Sequence, residues 1–301
     1  MIICPECRRY FPEKNDLRRI CSCGAEFDKI RGIWMFAKGY EATFEDHTSE
    51  SLKALSEHAA SHFWLLERKR QVLGKIRQYL SSRDKFLDVG VGACDIATGL
   101  REDGIDVVLS DIQLESLEYG AQLGFLDLFQ FDLQKPIFLD HFKGVGVFDV
   151  LEHLDDDASA VSSLLQMVVP GGYIFATVPA FPGLWNNRDV MEKHKRRYSR
   201  SQLEKLFSDQ GAEVVSCRFI FFSIFPLLIL RALHSRIFPK NQFSTEDFKL
   251  QFKIGHYPNV GLEKLLRLED KWFRKGGPPF GGSLLIVAKK VSSQHLILNF
   301  Y

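Results

Sequence analysis

The chain has 301 residues, 46% hydrophobic and 26% charged, with a formal net charge of +1. Those totals fit a folded chain with room for one large domain and a small appendage, and they exclude a low-complexity or highly charged disordered one. A near-zero balance also supplies no global attraction to nucleic acid or to an acidic membrane.

Met1-Ile2-Ile3 runs straight into Cys4, which leaves no secretory signal to read, and no apolar run reaches the ~18 residues of a membrane span. The expected compartment is the cytoplasm. Four of the six cysteines lie before residue 24, as Cys4-Pro5-Glu6-Cys7 and Cys21-Ser22-Cys23-Gly24. That clustering suits a metal site in a reducing compartment better than a disulfide framework. Two thiolate pairs on tight turns can supply the four sulfurs of a tetrahedral zinc, and so small a segment would draw much of its folding energy from the metal. Residues 1–38 are therefore read as a zinc-ribbon-like segment with Cys4, Cys7, Cys21 and Cys23 as ligands of Zn2+. The second pair is Cys-x-Cys, shorter than the usual knuckle, and unligated thiols remain the alternative.

From Ser49 to Leu80 the pattern is helical, with Phe63, Leu66, Val72, Leu73, Ile76 and Leu80 near spacings of three and four. The stretch that organises the chain follows, Lys85-Phe86-Leu87-Asp88-Val89-Gly90-Val91-Gly92-Ala93-Cys94-Asp95. Its apolar run reads as a strand buried on both faces, and its glycines let the turn bring backbone against a ligand. About twenty residues on, Val107-Val108-Leu109-Ser110 ends in Asp111, placed to accept hydrogen bonds from ribose hydroxyls. Asp95 at the following helix N-terminus would repel a pyrophosphate, so a nucleoside cofactor without phosphate is expected.

A third strand is expected to end at Phe131-Asp132-Leu133, although Asp132 also suits a turn before Pro136. The fourth is "GVGVFDVL", followed by Glu152-His153, beyond the carboxyl end where open α/β sheets bind ligands. Asp155-Asp156-Asp157 caps a helix to Val169, Pro170-Gly171-Gly172 ends it, and Tyr173 to Val178 is the fifth strand. "FPGLWNNRDVMEKHKRRYSRSQL" is polar and basic, with Ser199 or Ser201 capping the next helix. A sixth strand from Val214 to Phe222 leads into the apolar run Phe219 to Leu230, bounded by Arg218, Arg231 and Arg236. Such a run is either a buried cap or a face that meets lipid. Residues 240–258 are expected to be loosely ordered, Val260 to Lys275 helical, and Leu284 to Ala288 a closing strand.

"FLDVGVGACD" with Asp111 resembles the first two motifs of class I S-adenosylmethionine-dependent methyltransferases, with Cys94 where the family has its third glycine. "FDVLEHL" and "PGGYIFATVPA" are similar to its fourth and fifth motifs, and the N-terminal segment resembles zinc ribbons fused to or partnered with some members. The resemblance covers roughly residues 60–290. It implies an α/β fold, a doubly wound, Rossmann-like, seven-stranded sheet over residues 49–301, with residues 181–258 as a substrate-side cap. It implies S-adenosylmethionine held by Asp88, Gly90, Gly92, Asp111, Ile112, Asp132, Leu133, Val150 and Leu151. His153 becomes the candidate base, and Glu152, Asn187, Asp189, His194, Arg197 and Tyr198 become candidate substrate residues. His62, Phe63 and Trp64 could wall the pocket.

The expected function is methyl transfer to a small or lipid-linked acceptor, with peripheral contact at the inner face of a membrane. An RNA methyltransferase using the ribbon and "KHKRRY" is one alternative. The neutral charge and the lack of an Asn-Pro-Pro-aromatic or Asp-Pro-Pro-aromatic motif after strand four argue against nucleic acid. A non-catalytic cofactor-binding module is the other.

Overall fold

The computed structural model describes residues 1–11, 16–37, 55–58, 61–250, 253–273 and 276–291. Parts of the helix expected from Ser49, the expected domain boundary between 38 and 49, and the C-terminal residues 292–301 lie outside the described residues.

The first three strands are β1 (Arg18–Ile20), β2 (Glu26–Ile30) and β3 (Ile33–Met35), followed by helix α1 (Phe63–Ile76). Alternation of strand and helix then begins: β4 (Lys85–Val89), α2 (Asp95–Glu102), β5 (Asp106–Asp111), α3 (Leu114–Gln122), β6 (Leu128–Gln130) and β7 (Phe142–Phe148). Beyond β7 come α4 (Asp157–Met167), β8 (Val168–Pro179), α5 (Asn187–Met191), α6 (Arg200–Asp209) and β9 (Ala212–Ile220). Helices α7 (Phe225–Ile237), α8 (Thr245–Leu250) and α9 (His256–Trp272) precede the last strand, β10 (Ser283–Lys290).

The strands lie in one sheet in the order β1-β2-β3-β6-β5-β4-β7-β8-β10-β9. The segment β6-β5-β4-β7-β8-β10-β9 is the expected seven-stranded arrangement, parallel up to β8, with β10 antiparallel to β8 and β9. The expected count is corrected to ten, because the N-terminal segment joins the sheet: Ile33 pairs with Leu128, Trp34 with Phe129 and Met35 with Gln130, in parallel register. Without β3 the outer edge of β6 would present a row of unpaired backbone groups.

Strand β4 is buried on both faces, which explains its unbroken apolar run. Phe86 packs into one apolar cluster, while Leu87 and Val89 pack into the other. Cys4, Cys21, Phe27, Trp34 and Phe36 belong to the same cluster as Leu87, so the N-terminal segment shares the domain's core. Ile3 N–H donates to the Ile137 carbonyl at 2.7 Å, a second seam between them.

Several expected boundaries move. β6 ends at Gln130, because Asp132 Oδ1 accepts from Gln134 N–H at 2.9 Å and closes a turn. Helix α4 stops at Met167, and Pro170-Gly171-Gly172 lies inside β8, where the pairing with β7 shifts register between Phe142 and Gly144. Pro226 stands in the first turn of α7 and starts that helix, since the missing N–H is an orphan there anyway. The region 240–258 holds α8 and the start of α9. Strand β9, within 181–258, pairs with β10 in the main sheet.

Candidate active site

The β4–α2 turn, the end of β5 and the end of β7 converge at the carboxyl edge of the parallel strands. Gly90 has φ +70°, and a Cβ there would meet Val150 Cγ2 at 2.5 Å. Gly92 has φ +47°, and the space where its side chain would point is open. The turn thus needs glycine for its dihedrals at both places and leaves backbone bare beside that space. Asp111, at the tip of β5, accepts from Gly92 N–H at 3.3 Å and from Gln113 N–H at 2.9 Å. It therefore faces the glycine turn.

Asp88 is buried, and burial followed by the nearby Asp95 charge raises its carboxyl well above the usual range. Ile112 contributes its carbonyl to Gln130 Nε2 at 3.0 Å, which locks the end of β5 to β6. Asp132 serves the turn described above, with Leu133 buried beside it. Val150 lies over Gly90, and Leu151 is fully buried at the start of a short 3-10 turn, Leu151–His153.

Arg68 is a residue that the sequence does not single out. It projects from α1 into the same space, 2.5 Å from Asp149 and 3.3 Å from Asp95, with its side chain 16% exposed. Burial alone would lower the guanidinium's pKa, but the Asp95 and Asp149 carboxylates overcome that and raise it. Among the described residues its Nε has no hydrogen-bond partner. Asp149 also accepts from Thr177 Oγ1 at 3.0 Å and sits at φ +56°. Nothing in "ERKR" tells which basic residue points inward; Arg70, two positions on, pairs instead with Glu67 and Asp270.

His62 caps α1, its Nδ1 accepting from Trp64 N–H at 3.3 Å. Trp64 stacks on Phe221 with ring centroids 3.8 Å apart, and Phe63 N–H donates to Asn259 Oδ1. These residues hold α1 against the cap.

The loop between β8 and α6 closes over the end of β7. Asp189, fully buried, accepts from Asn186 N–H, from His194 Nδ1 at 2.9 Å and from Arg197 Nε at 2.7 Å. Burial opposes ionisation there, but His194 and Arg197 hold the carboxyl below its ordinary value. His194 Nε2 faces Glu192 at 3.3 Å and Glu152 at 4.0 Å. Burial would lower the imidazole, but the bonds to Asp189 and Glu192 push it up to about 10. Glu152 is 0% exposed, and burial, then Asp149, pushes its carboxyl up to about 8. His153 meets His194 edge to face, 4.8 Å between centroids.

The remaining candidates tie the loop down. Tyr198 is buried, donating to Asp157 at 2.8 Å and reaching the Leu151 carbonyl at 3.2 Å. Asn187 Nδ2 donates to the Phe238 carbonyl, and its N–H to Ser235 Oγ, so it fastens the end of α7. Thus Glu152, His153, Asp189, His194 and Arg197 come together, while Asn187 and Tyr198 brace the loop. Glu192 and Arg188, 2.7 Å apart, join that network without having been singled out.

At the other end, the four N-terminal cysteines bring their sulfurs within 4.8 Å of one another, with Cys7 and Cys21 at 3.4 Å and Cys4 and Cys23 at 3.8 Å. Sulfurs on a tetrahedral zinc with bonds of about 2.3 Å lie about 3.8 Å apart. The shortened second pair does not prevent the gathering.

Comparison with known proteins agrees with this architecture. Ubiquinone biosynthesis O-methyltransferase of Yersinia pestis (strain Pestoides F) is 30% identical over 139 residues, which cover 40% of this chain and 56% of the relative. The chain thus spans little more than half the length of such curated relatives. Among solved structures, phosphoethanolamine N-methyltransferase 2 of Haemonchus contortus, in complex with S-adenosyl-L-methionine, superposes with a TM-score of 0.54 at 15% identity, covering 83% of this chain and 59% of that one. A chain from the complex between the Haloferax volcanii Trm112 methyltransferase activator and a methyltransferase gives a TM-score of 0.52 at 16% identity, covering 81% and 94%. At such identities these two show the shared fold alone. Residues 58–217, just over half of the chain, match the family model described as a methyltransferase domain. The chain belongs to that family and carries an S-adenosylmethionine-dependent methyltransferase domain.

Proposed function

We propose that the whole protein transfers a methyl group from S-adenosylmethionine to a small or lipid-linked acceptor. The observation that carries this reading is the convergence of the Gly90–Gly92 turn, Asp111 and Arg68 on one space beside the Glu152-His153 turn. The residues fit the cofactor: open space at Gly92, a carboxylate facing the glycine turn, and the Arg68 guanidinium beside them. The bound cofactor supplies an activated methyl on a sulfonium, so the protein's task is chiefly orientation. Asp111 would hold the ribose, Arg68 the amino-acid end, and Leu133 and Val150 the apolar ring face. His153 would take the acceptor's proton if the nucleophile is an O–H or N–H, leaving that electron pair on the nucleophile to bond the methyl carbon as the methyl–sulfur bond breaks and its electrons return to sulfur.

The acceptor class rests on the cap. Helix α7 leaves Leu227, Leu230, Leu233 and Ile237 exposed in a stripe, with Phe238 61% exposed at its end. Arg236 and Lys240 flank the stripe at its C-terminal end. Such a face suits the headgroup region of an anionic membrane at the cytoplasmic side, and a greasy acceptor drawn from it. Among the described residues no helix is long and apolar enough to cross a membrane. Arg218 is not one of the flanking charges, since it turns inward to Asp270 at 3.4 Å. Relatives named for ubiquinone biosynthesis support an acceptor of this kind. The four-sulfur cluster is proposed to hold structural zinc.

Transfer of radiolabelled methyl from S-adenosylmethionine to a lipid extract, with bulk RNA as the comparison, tests the function. Label entering only the lipid fraction supports it. Label entering only RNA would establish the rival activity, and label entering neither, with the cofactor bound, would leave a binding module.

A further inference from the structure

Glu152 is fully buried, yet among the described residues neither carboxyl oxygen has a hydrogen-bond partner. Buried polar groups are nearly always satisfied, so a carboxyl group orphaned on both oxygens, with His194 Nε2 no nearer than 4.0 Å, points to a missing partner that would displace its proton. Around it stand two imidazoles. One donor atom each from Glu152, His153 and His194 can be chosen so that all lie within 4.8 Å of one another. The three come from two separate pieces of chain, the 3-10 turn after β7 and the loop after α5, pinned together where Lys195 N–H donates to the Glu152 carbonyl at 2.8 Å.

We propose that Glu152, His153 and His194 bind one divalent transition-metal ion, distinct from the four-cysteine site. Two imidazoles and a carboxylate form a donor set suited to zinc or iron(II), leaving positions open for water or substrate. The surroundings have the features of a built site. His194 Nδ1 is engaged by Asp189 at 2.9 Å, which turns Nε2 toward Glu152, and Arg197 in turn holds Asp189 at 2.7 Å. A carboxylate behind a ligating histidine fixes its orientation and raises its basicity. Donors about 2.1 Å from an ion lie at most about 4.2 Å apart, so the cluster closes by roughly half an ångström on binding. Glu192 Oε2, 3.3 Å from His194 Nε2, is the group that yields its contact as the ion enters.

The position gives the ion a use. It lies just past β7, beside Asp149 and the cofactor space, where an acceptor hydroxyl could take an open coordination position. Binding there lowers the hydroxyl's pKa, as it does for metal-bound water. This use rests on the methyltransferase reading and takes the place of His153 as base, since an imidazole that ligates the ion has no free electron pair for the acceptor's proton; the binding of the ion does not rest on that reading.

Zinc content of the full chain, measured by elemental analysis after dialysis against zinc, tests the site. His153→Ala and His194→Gln should each hold about one zinc fewer per chain than the unaltered protein. Asp189→Asn should weaken competition with a chromophoric chelator by about 10–100-fold. Calorimetry with S-adenosylmethionine on each variant reports folding and the cofactor site separately. His153 is partly exposed, so His153→Ala answers the question even where His194→Gln fails to fold. Equal zinc content in the unaltered protein and in a folded His153→Ala variant would overturn the site. Loss of the extra zinc in a chain that never binds cofactor would instead overturn the methyltransferase reading.

Discussion

Arg68 Nη1 lies 2.5 Å from Asp149 Oδ2, joining the helix that precedes the first core strand to the end of β7. A cation on α1 therefore completes a site otherwise built from the strand ends. Asp95 shares the same guanidinium at 3.3 Å, so the ion group is a triad across three elements.

Arg68→Met should strip both acids of their partner and destabilise the fold, and Asp149→Asn should relieve part of the loss. Coupled residues of this kind show about 0.5–3 kcal/mol of interaction energy. Urea unfolding of both single variants and the double variant measures it; strictly additive effects would mean that the pair is only a crystal-like contact without energetic weight.

Asp111→Ala should weaken S-adenosylmethionine by about 1.5–3 kcal/mol, the range for hydrogen bonds to a charged group. Calorimetry on the folded variant is the check, and unchanged affinity would remove Asp111 from the ribose.

The N-terminal segment shares its core and sheet with the larger domain, so, with the proposed zinc bound at its four cysteines, stripping that metal should lower the melting point of the whole molecule. A loss of 2 kcal/mol corresponds to roughly 4–8 °C for a domain of this size. Cys7→Ser followed by circular dichroism should show one earlier transition; a separate early step before an unmoved main melt would show that the ribbon is an independent unit.

Leu230 is 61% exposed and Leu233 45% exposed, so Leu230→Asp with Leu233→Asp should leave the fold intact. The unaltered protein should float with anionic liposomes and be partly released by salt, while the double variant should stay in solution. Flotation by both proteins alike would move the contact elsewhere, and flotation by neither would remove the membrane from the proposal.

Burial, then the charges of Arg188 and His58, holds the His62 imidazole down at about 4, below the about 6.5 of an unfolded chain. The unfolded state then takes up the proton first, so this residue's contribution is intact above pH 6.5 and is lost as pH falls toward 4. Protonation would also remove the Nδ1 acceptor that caps α1. His62→Asn keeps a capping acceptor and should flatten that part of the acid limb. Unfolding free energies at pH 7.5 and pH 5 decide it; identical losses in both proteins would place the sensitivity in other groups.

Much of this molecule is local and therefore legible in the chain. An apolar run without alternation announces a strand covered on both faces, and Phe86 and Leu87 do enter opposite clusters. Gly90, Gly92 and Asp111 could be read as one constellation because two adjacent parallel strands joined by one helix put the tip of β5 beside the turn after β4. A helix capped by Ser199 or Ser201 was equally readable, since a cap and its partners lie in one helical turn; the structure chose Ser199, with Gln202 closing the box. Tertiary structure decided what depends on pairing and side-chain direction. β3 could be placed on β6 only once both edges existed, because a three-residue strand carries no signal of its partner. Arg68 could not be told from Arg70 until α1 had docked, because neighbouring basic residues differ only in the way the helix is turned. Glu152 and His194 stand 42 positions apart in the chain, and only the closing of the loop over β7 brought a buried, unsatisfied carboxylate to face two imidazoles.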